Sequence, residues 1–435
     1  MDILTYGPIV ALILLLLLGS GIWVALSLLG VACIGMLIFS NAPLSAVMPT
    51  TIWSSISTWT LTALPLFIWM GEILFRTRMS NDLFQGLSPW LGRLPGRLLH
   101  VNVLGCGIFS AVSGSSAATA ATVGQMSVPE LKDRGYHEPL ILGSLAASGT
   151  LGLLIPPSII LIVYGVSVNL SIGKLFLAGV VPGMLIILLF SGYIVFWALL
   201  NPKKMPAPEP RLGFRESFKR LRLLLPVVLL IVGVIGSIYS GIATATEAAT
   251  IGVVGALLIA LFSGGLTWQG FMASLYGATR TSCMIAFIIA GAAFLTVTMG
   301  FSGIPRALAE WISTFGLSPY ALLAALTLLY LVLGCFLDGI SMVVLSTAVV
   351  IPMVEAAGID LIWFGIFLVL LVEIAQITPP VGFNLFVVQG ITGRDILYVS
   401  KAVFPFFVLL VLAIIILTVF PALVTWLPDS MSISK

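Results

Sequence analysis

Gly152-Leu-Leu-Ile-Pro-Pro-Ser158 lies within the apolar run Leu140 to Val168, and Thr378-Pro-Pro-Val-Gly382 lies within Leu361 to Gln389. A proline inside a helix has no N–H for the carbonyl four residues back. Pro156 therefore frees the carbonyl of Gly152, and Pro157 that of Leu153. In the second run Pro379 frees Ala375 and Pro380 frees Gln376. Each proline also disfavours helical geometry at the residue before it, so a pair unwinds a turn. The expectation is two broken helices, 140–168 and 361–389.

The surroundings of these breaks are apolar. Of 435 residues 60% are hydrophobic and 8% charged, where a soluble domain carries roughly 25% charged residues. Leu12 to Leu18 is unbroken, and Phe404 to Phe420 holds no ionisable residue. With about 20 apolar residues needed per crossing, the runs suggest about ten full spans and several shorter or broken ones. The expected class is an all-α integral membrane protein, multi-pass in a lipid bilayer. The net charge of +3 comes from loop residues and not from a basic stripe, so no nucleic-acid partner is expected. Cys33, Cys106, Cys283 and Cys335 all lie in apolar stretches and read as packing residues. The N-terminus shows no basic start or cleavage site, so its apolar run reads as a retained helix.

Three loops hold 13 of the 19 Lys and Arg: Arg76 to Arg97, Pro129 to Pro139, and Asn201 to Arg222. The positive-inside rule puts all three on the cytoplasmic side. Residues 97–128 then start and finish on one side, too short for two full crossings at about 1.5 Å per residue. A re-entrant hairpin is expected there, with the small and polar Ser110 to Thr119 at its tip. Exposed backbone at membrane depth is tolerated only against protein or a water-filled cavity. Residues 201–222 form a Pro-rich linker between two halves, 1–200 and 223–435. The halves resemble one another: Gly105-Cys106 is matched by Gly334-Cys335, and each Pro-Pro pair precedes another proline, Pro182 or Pro405, by the same 26 residues from its first member. Amphipathic segments are expected near Asp82 to Leu94 and Ile304 to Phe315. Counting crossings outward from the linker inverts the second half, so its hairpin, 319–352, enters from the opposite face. Inverted repeats with discontinuous helices mark secondary transporters.

Uncovered carbonyls at the breaks suit a small hard cation, since such ions take oxygen ligands. Na⁺ is the expected ion. Ser113, Ser115, Ser116 and Thr119 add hydroxyls, although membrane serines also serve close helix packing. Gly114 suits a tip with an unusual backbone angle. Asp338 is the polar group of the second hairpin, and an intramembrane carboxylate is a functional candidate. Glu247 caps a helix or serves function; Glu373, six residues before Pro379, is placed to meet the second cavity. Asn384 either binds substrate or ties the break together. His100 and His137 belong to no metal motif and read as solvated or interfacial. There is no phosphate-binding loop and no nucleophile with a partner base, so neither an ATPase nor a membrane enzyme is indicated.

Ser113-Gly-Ser-Ser-Ala117, Gly152-Leu-Leu-Ile-Pro-Pro-Ser158, Thr244-Ala-Thr-Glu-Ala-Ala249, Gly334-Cys-Phe-Leu-Asp338 and Thr378-Pro-Pro-Val-Gly382 together resemble the large membrane subunit of tripartite ATP-independent periplasmic (TRAP) transporters. The motifs fall in the family's order and span essentially the whole chain. The resemblance implies an elevator-type transporter of the bacterial inner membrane with two Na⁺ sites. The first would involve Ser113, Gly152, Ile155 and Pro157; the second Gly334, Ala375, Thr378 and Val381. Ala375 stands where the family often has glycine, leaving less room for backbone to approach an ion. Implied partners are a small four-helix membrane subunit and a periplasmic substrate-binding protein; the implied cargo is a carboxylate. The candidate substrate contacts are Ser115, Ser116, Asp338 and Asn384. A stand-alone Na⁺/carboxylate symporter and a channel are the alternatives.

Overall fold

The computed structural model describes residues 3–40, 42–207, 213–263, 265–303, 318–334, 337–380 and 382–430. The described chain is helical and contains no strand. The second amphipathic segment, 304–315, falls outside the described residues, as do Cys335 and Val381.

Among the described residues five helices are long and apolar enough to cross a membrane: Ile172–Leu200, Phe214–Tyr239, Ala245–Phe262, Trp268–Ser302 and Ile396–Val419. Two bent pairs would raise the number to seven. Val24–Ile38, Pro319–Leu333, Leu361–Gln376 and Phe383–Thr392 are shorter apolar helices, so by length the described residues hold fewer full spans than the roughly ten expected of the chain.

The 35-residue helix Trp268–Ser302 is the spine of one layer. It packs against Val24–Phe39, Leu44–Ile56 and Ala63–Phe75, and Ala63–Phe75 packs on Ala245–Phe262. Its Gly291 lets the Ala25 carbonyl approach so closely that an added Cβ would lie 2.9 Å away. Small residues permit such close crossings where no water drives helices together. Glu247 belongs to this layer as a structural residue: with Thr244 it closes a capping box at the start of Ala245–Phe262.

The inner layer holds the hairpins and broken helices. His100–Ser113 and Ser116–Asp133 form the first hairpin, with Ser115 as N-cap of the second arm. The helix Glu138–Gly149 runs into a tight turn, Thr150–Leu153, before the chain resumes as Ile159–Ser167. In the stretch expected to form the second hairpin, Pro319–Leu333 and the bent helix Gly339–Ala356 both pack on Leu361–Gln376 and meet each other through the hydroxyls of Tyr330 and Ser346, and the second interrupted helix is Leu361–Gln376 with Phe383–Thr392. Both Pro-Pro bonds are cis. An amphipathic helix, Met79–Leu91, occupies the stretch before the first hairpin. Leu361–Gln376 is apolar on every face but for Glu373 and Gln376 near its end, and it is buried throughout from Trp363, as such a helix must be.

The two halves pack crosswise. The second arm of the first hairpin lies against Phe383–Thr392, and the second arm of the second hairpin lies against Ile159–Ser167. At one end the basic loops meet. Arg97 donates to the Pro206 carbonyl, and His137 packs on Trp197 with ring centroids 5.0 Å apart. Glu138 bridges Lys132 at 2.6 Å and Arg394 at 2.7 Å. His100 departs from expectation: it is 1% exposed, with Nε2 2.7 Å from the Pro95 carbonyl. The turn before it folds back and covers the ring.

Candidate functional site

At the first break, local sequence sets the geometry. Gly114 adopts φ +61°, ending the first arm. An added Cβ there would lie 2.9 Å from the Pro157 carbonyl oxygen. Gly152 lies against the Ser115 carbonyl, where a Cβ would come within 2.6 Å. The hairpin tip is thus seated directly on the break, and glycine at both positions is what permits it. The hydroxyls of Ser113 and Thr119 are 2.7 Å apart, and Thr119 donates to the Ser115 carbonyl at 2.8 Å. Ser113, Ser116, Gly152 and Pro157 are buried and Ser115 half-buried. The structure therefore brings these five together. Ile155 is also at the break, but its side chain packs between Gly107 and Gly183.

The Leu153 carbonyl, freed by Pro157, accepts a hydrogen bond from the Ser158 hydroxyl. Ser158 also caps Ile159–Ser167. One of the two carbonyls is patched locally, which leaves Gly152 as the one to consider for a ligand.

At the second break, Gly334 sits against Ala375 so tightly that a Cβ on Gly334 would overlap that of Ala375. Here the glycine is on the hairpin alone, whereas in the first half both the hairpin (Gly114) and the broken helix (Gly152) carry one. The room that Ala375 removes is therefore restored by Gly334. The Ala375 carbonyl, freed by Pro379, accepts from the Thr378 N–H at 3.2 Å. A carbonyl oxygen has a second lone pair, so it retains capacity for an ion. Thr378 is half-buried, and its hydroxyl donates to the Ile374 carbonyl at 2.7 Å.

A cavity of about 180 Å³ opens at this second junction, lined by Gly334, Asp338, Gly339, Ala375, Gln376 and Phe383 among others. Asp338 is on its wall, but its carboxylate is engaged. It accepts from the backbone N–H groups of Ile340 at 3.1 Å and Ser341 at 3.3 Å, and from the Ser341 hydroxyl. It is the N-cap of the second arm. Asn384 lies away from this cavity. It is fully buried, and its amide nitrogen donates to the Ala146 carbonyl at 3.1 Å. It ties the second interrupted helix to the first, while its amide oxygen has no hydrogen-bond partner among the described residues.

Two residues join the picture from tertiary structure. Thr150 and Glu373 each lie six residues before the first proline of their pair, and they face each other between the breaks. Glu373 is fully buried. The Thr150 hydroxyl gives its proton to the Ala147 carbonyl at 2.8 Å. Neither carboxylate oxygen of Glu373 has a hydrogen-bond donor among the described residues. Gln376, absent from the expected set, lines the cavity. Its sequence signal was a lone amide closing an otherwise apolar run, adjacent to Ala375.

The oxygens on offer at both junctions are mainly hydroxyls and backbone carbonyls. Among the described residues no group of three His, Cys, Asp or Glu is placed to hold a metal ion. The arrangement suits a hard alkali cation better than a transition metal.

The family model for the DctM component of tripartite ATP-independent periplasmic transporters matches residues 9–423. The chain is 35% identical to a C4-dicarboxylate TRAP transporter large permease protein, DctM, of Pseudomonas aeruginosa, covering 86% of this chain and 88% of that one. It is 32% identical to the sialic acid TRAP transporter large permease protein SiaM of Vibrio cholerae (95% and 96% covered). It is 33% identical to the ectoine TRAP transporter large permease protein TeaC of Halomonas elongata (85% and 86%). Its fold is similar to that of the Alcanivorax borkumensis YdaH transporter, with a TM-score of 0.64, 14% identity, and 96% and 98% of the two chains covered. The chain is a multi-pass membrane permease and not an enzyme, and it belongs to the DctM family of TRAP transporter large permease subunits.

Proposed function

We propose that this chain is the moving transport subunit of a Na⁺-driven importer in the bacterial inner membrane, taking up a small organic acid delivered by a periplasmic binding protein. The observation that carries the reading is the seating of two hairpin ends on two Pro-Pro breaks, each through a glycine contact. Ser113 with the carbonyls of Gly152, Ile155 and Pro157 would hold one cation. Gly334, Ala375, Thr378 and Val381 would hold another. Ser115 and Ser116 then face substrate from the first tip. The half-helices after the breaks, Ile159–Ser167 and Phe383–Thr392, turn positive N-terminal ends toward the site, which favours a carboxylate.

The hairpins and interrupted helices would form an inverted-repeat elevator domain moving against a scaffold built on Trp268–Ser302. The hairpins would be re-entrant, entering from opposite faces. Each net positive charge entering with the potential supplies about 2.3 kcal/mol per 100 mV, a driving force that needs no ATP. A small four-helix membrane subunit would brace the scaffold. The carboxylate class is supported by the C4-dicarboxylate and sialic acid relatives.

Uptake into proteoliposomes holding this chain and its small subunit tests the reading, with and without an inward Na⁺ gradient and with and without the binding protein. Uptake requiring both is expected. Uptake requiring Na⁺ alone would make the chain a stand-alone symporter, and non-saturating flux without Na⁺ would make it a channel.

A further inference from the structure

The second cavity contains an unused recognition group. Gln376 is 8% exposed and lines the cavity beside Gly339, where an added Cβ would lie 3.4 Å from its Nε2. Its amide oxygen is buried without a hydrogen-bond partner among the described residues. A buried amide left unpaired is strongly unfavourable unless something else supplies the bond. The other polar side chain of the wall, Asp338, is a further acceptor, already turned toward the start of its own helix. No Lys, Arg or His is among the lining residues. Gln376 is thus the side chain of this wall whose oxygen still lacks a donor among the described residues, while the Asp338 oxygens already accept three hydrogen bonds. A carboxylate has no proton to give the Gln376 oxygen, so the wall calls for a neutral group that can donate.

We propose that this cavity reads a hydroxyl on the substrate through Gln376, so that the cargo is a hydroxylated organic acid with its hydroxyl in this cavity and its carboxylate outside it. A primary amide both donates and accepts, so one hydroxyl can satisfy both ends of its recognition: O–H to the Gln376 oxygen, and the Gln376 N–H to the hydroxyl oxygen or a neighbouring one. The volume of about 180 Å³ equals about six waters at liquid density, enough for a short hydroxylated segment. Gln376 thereby becomes a specificity-determining residue. The inference rests on the organic-acid reading given above.

The test is direct binding to the purified full chain in nanodiscs with Na⁺ present, followed by intrinsic fluorescence and thermal shift. The probes are acids matched with and without a hydroxyl (malate and succinate, lactate and propionate, gluconate and hexanoate), together with amino acids of the same length. The hydroxylated member of at least one pair should bind about tenfold or more tighter, because a site built to pair a hydroxyl rejects the analogue lacking it. Gln376→Met should reduce that preference to about twofold or less, a loss of discrimination of the same origin. Equal binding of both members by the unaltered chain overturns the proposal without need of any variant. So does a preference for the amino acid, or a hydroxyl preference that survives in Gln376→Met. If no acid of any kind binds while Na⁺ does, the organic-acid reading itself fails and takes this inference with it.

Discussion

The two Pro-Pro junctions share a backbone plan and differ in closure. At the first, Pro157, Gly152 and the Ser113 tip are all buried, and the hairpin is pressed onto the break through Gly114. At the second, Pro379, Pro380 and Asp338 are exposed and a cavity remains. Glycine permits contact from both sides at the first junction, at Gly114 and Gly152, and from the hairpin side alone at the second, at Gly334. The first junction is closed by hydroxyls and the second is capped by a carboxylate. Proline enforces the interruption locally at both places, while the side chains around it differ: one junction is sealed and the other open.

The largest expected effect separates them. Gly152→Val places a branched side chain where even a Cβ would lie 2.6 Å from the Ser115 carbonyl. Overpacking of this kind costs about 1–3 kcal/mol, and uptake should be abolished with a clear fall in melting temperature. Ala375→Gly, at the corresponding position, should cost no more than about 1 kcal/mol. Equal sensitivity of the two would remove the distinction.

Next in size is a coupling. Gly334→Ala drives a methyl into that of Ala375 and should lower the melting temperature. Adding Ala375→Gly should restore most of the loss, with an interaction energy of about 0.5–3 kcal/mol in a double-mutant cycle. Additive effects would mean that the contact is not the source of the constraint.

Asp338 offers a finer discrimination. Asp338→Asn keeps a good cap, so stability and uptake should stay near those of the unaltered chain. Asp338→Leu should lose about 0.5–2 kcal/mol. Uptake lost in Asp338→Asn with stability intact would instead make the charge itself functional.

The smallest effect lies at the far end of the same domain. The Arg394 guanidinium, and then Lys132, hydrogen-bond Glu138 and hold its carboxyl below the usual range. A depressed carboxyl stabilises the fold above its unfolded-state pKa, and that contribution is lost as pH falls through the folded-state pKa. Glu138→Gln should therefore lower the melting temperature slightly at neutral pH, and the difference should vanish in the acid range. A difference that persisted in acid would rule out the ion pair as its cause.

The breaks, the first hairpin and the cap at Thr244 were legible because proline, glycine and capping residues act on their own backbone. Thr378 and Ser158 show the limit of that reading, since they supply donors to carbonyls the prolines freed. Asn384 on Ala146, Thr150 facing Glu373, and the burial of His100 were not legible, because each depends on a partner distant in sequence or on a turn that folds back. Helix length was less legible, because an apolar run does not show where its helix starts and stops: Leu361–Gln376 is short and buried, Pro319–Leu333 short and largely exposed.

The most direct test of the two-junction account is Na⁺ binding measured by calorimetry on the purified chain, the Gly152→Val variant and the Gly334→Ala variant. The account predicts saturable Na⁺ binding by the unaltered chain, with each variant losing a different component of it. Unchanged Na⁺ binding in both variants, in protein that remains folded, would contradict it.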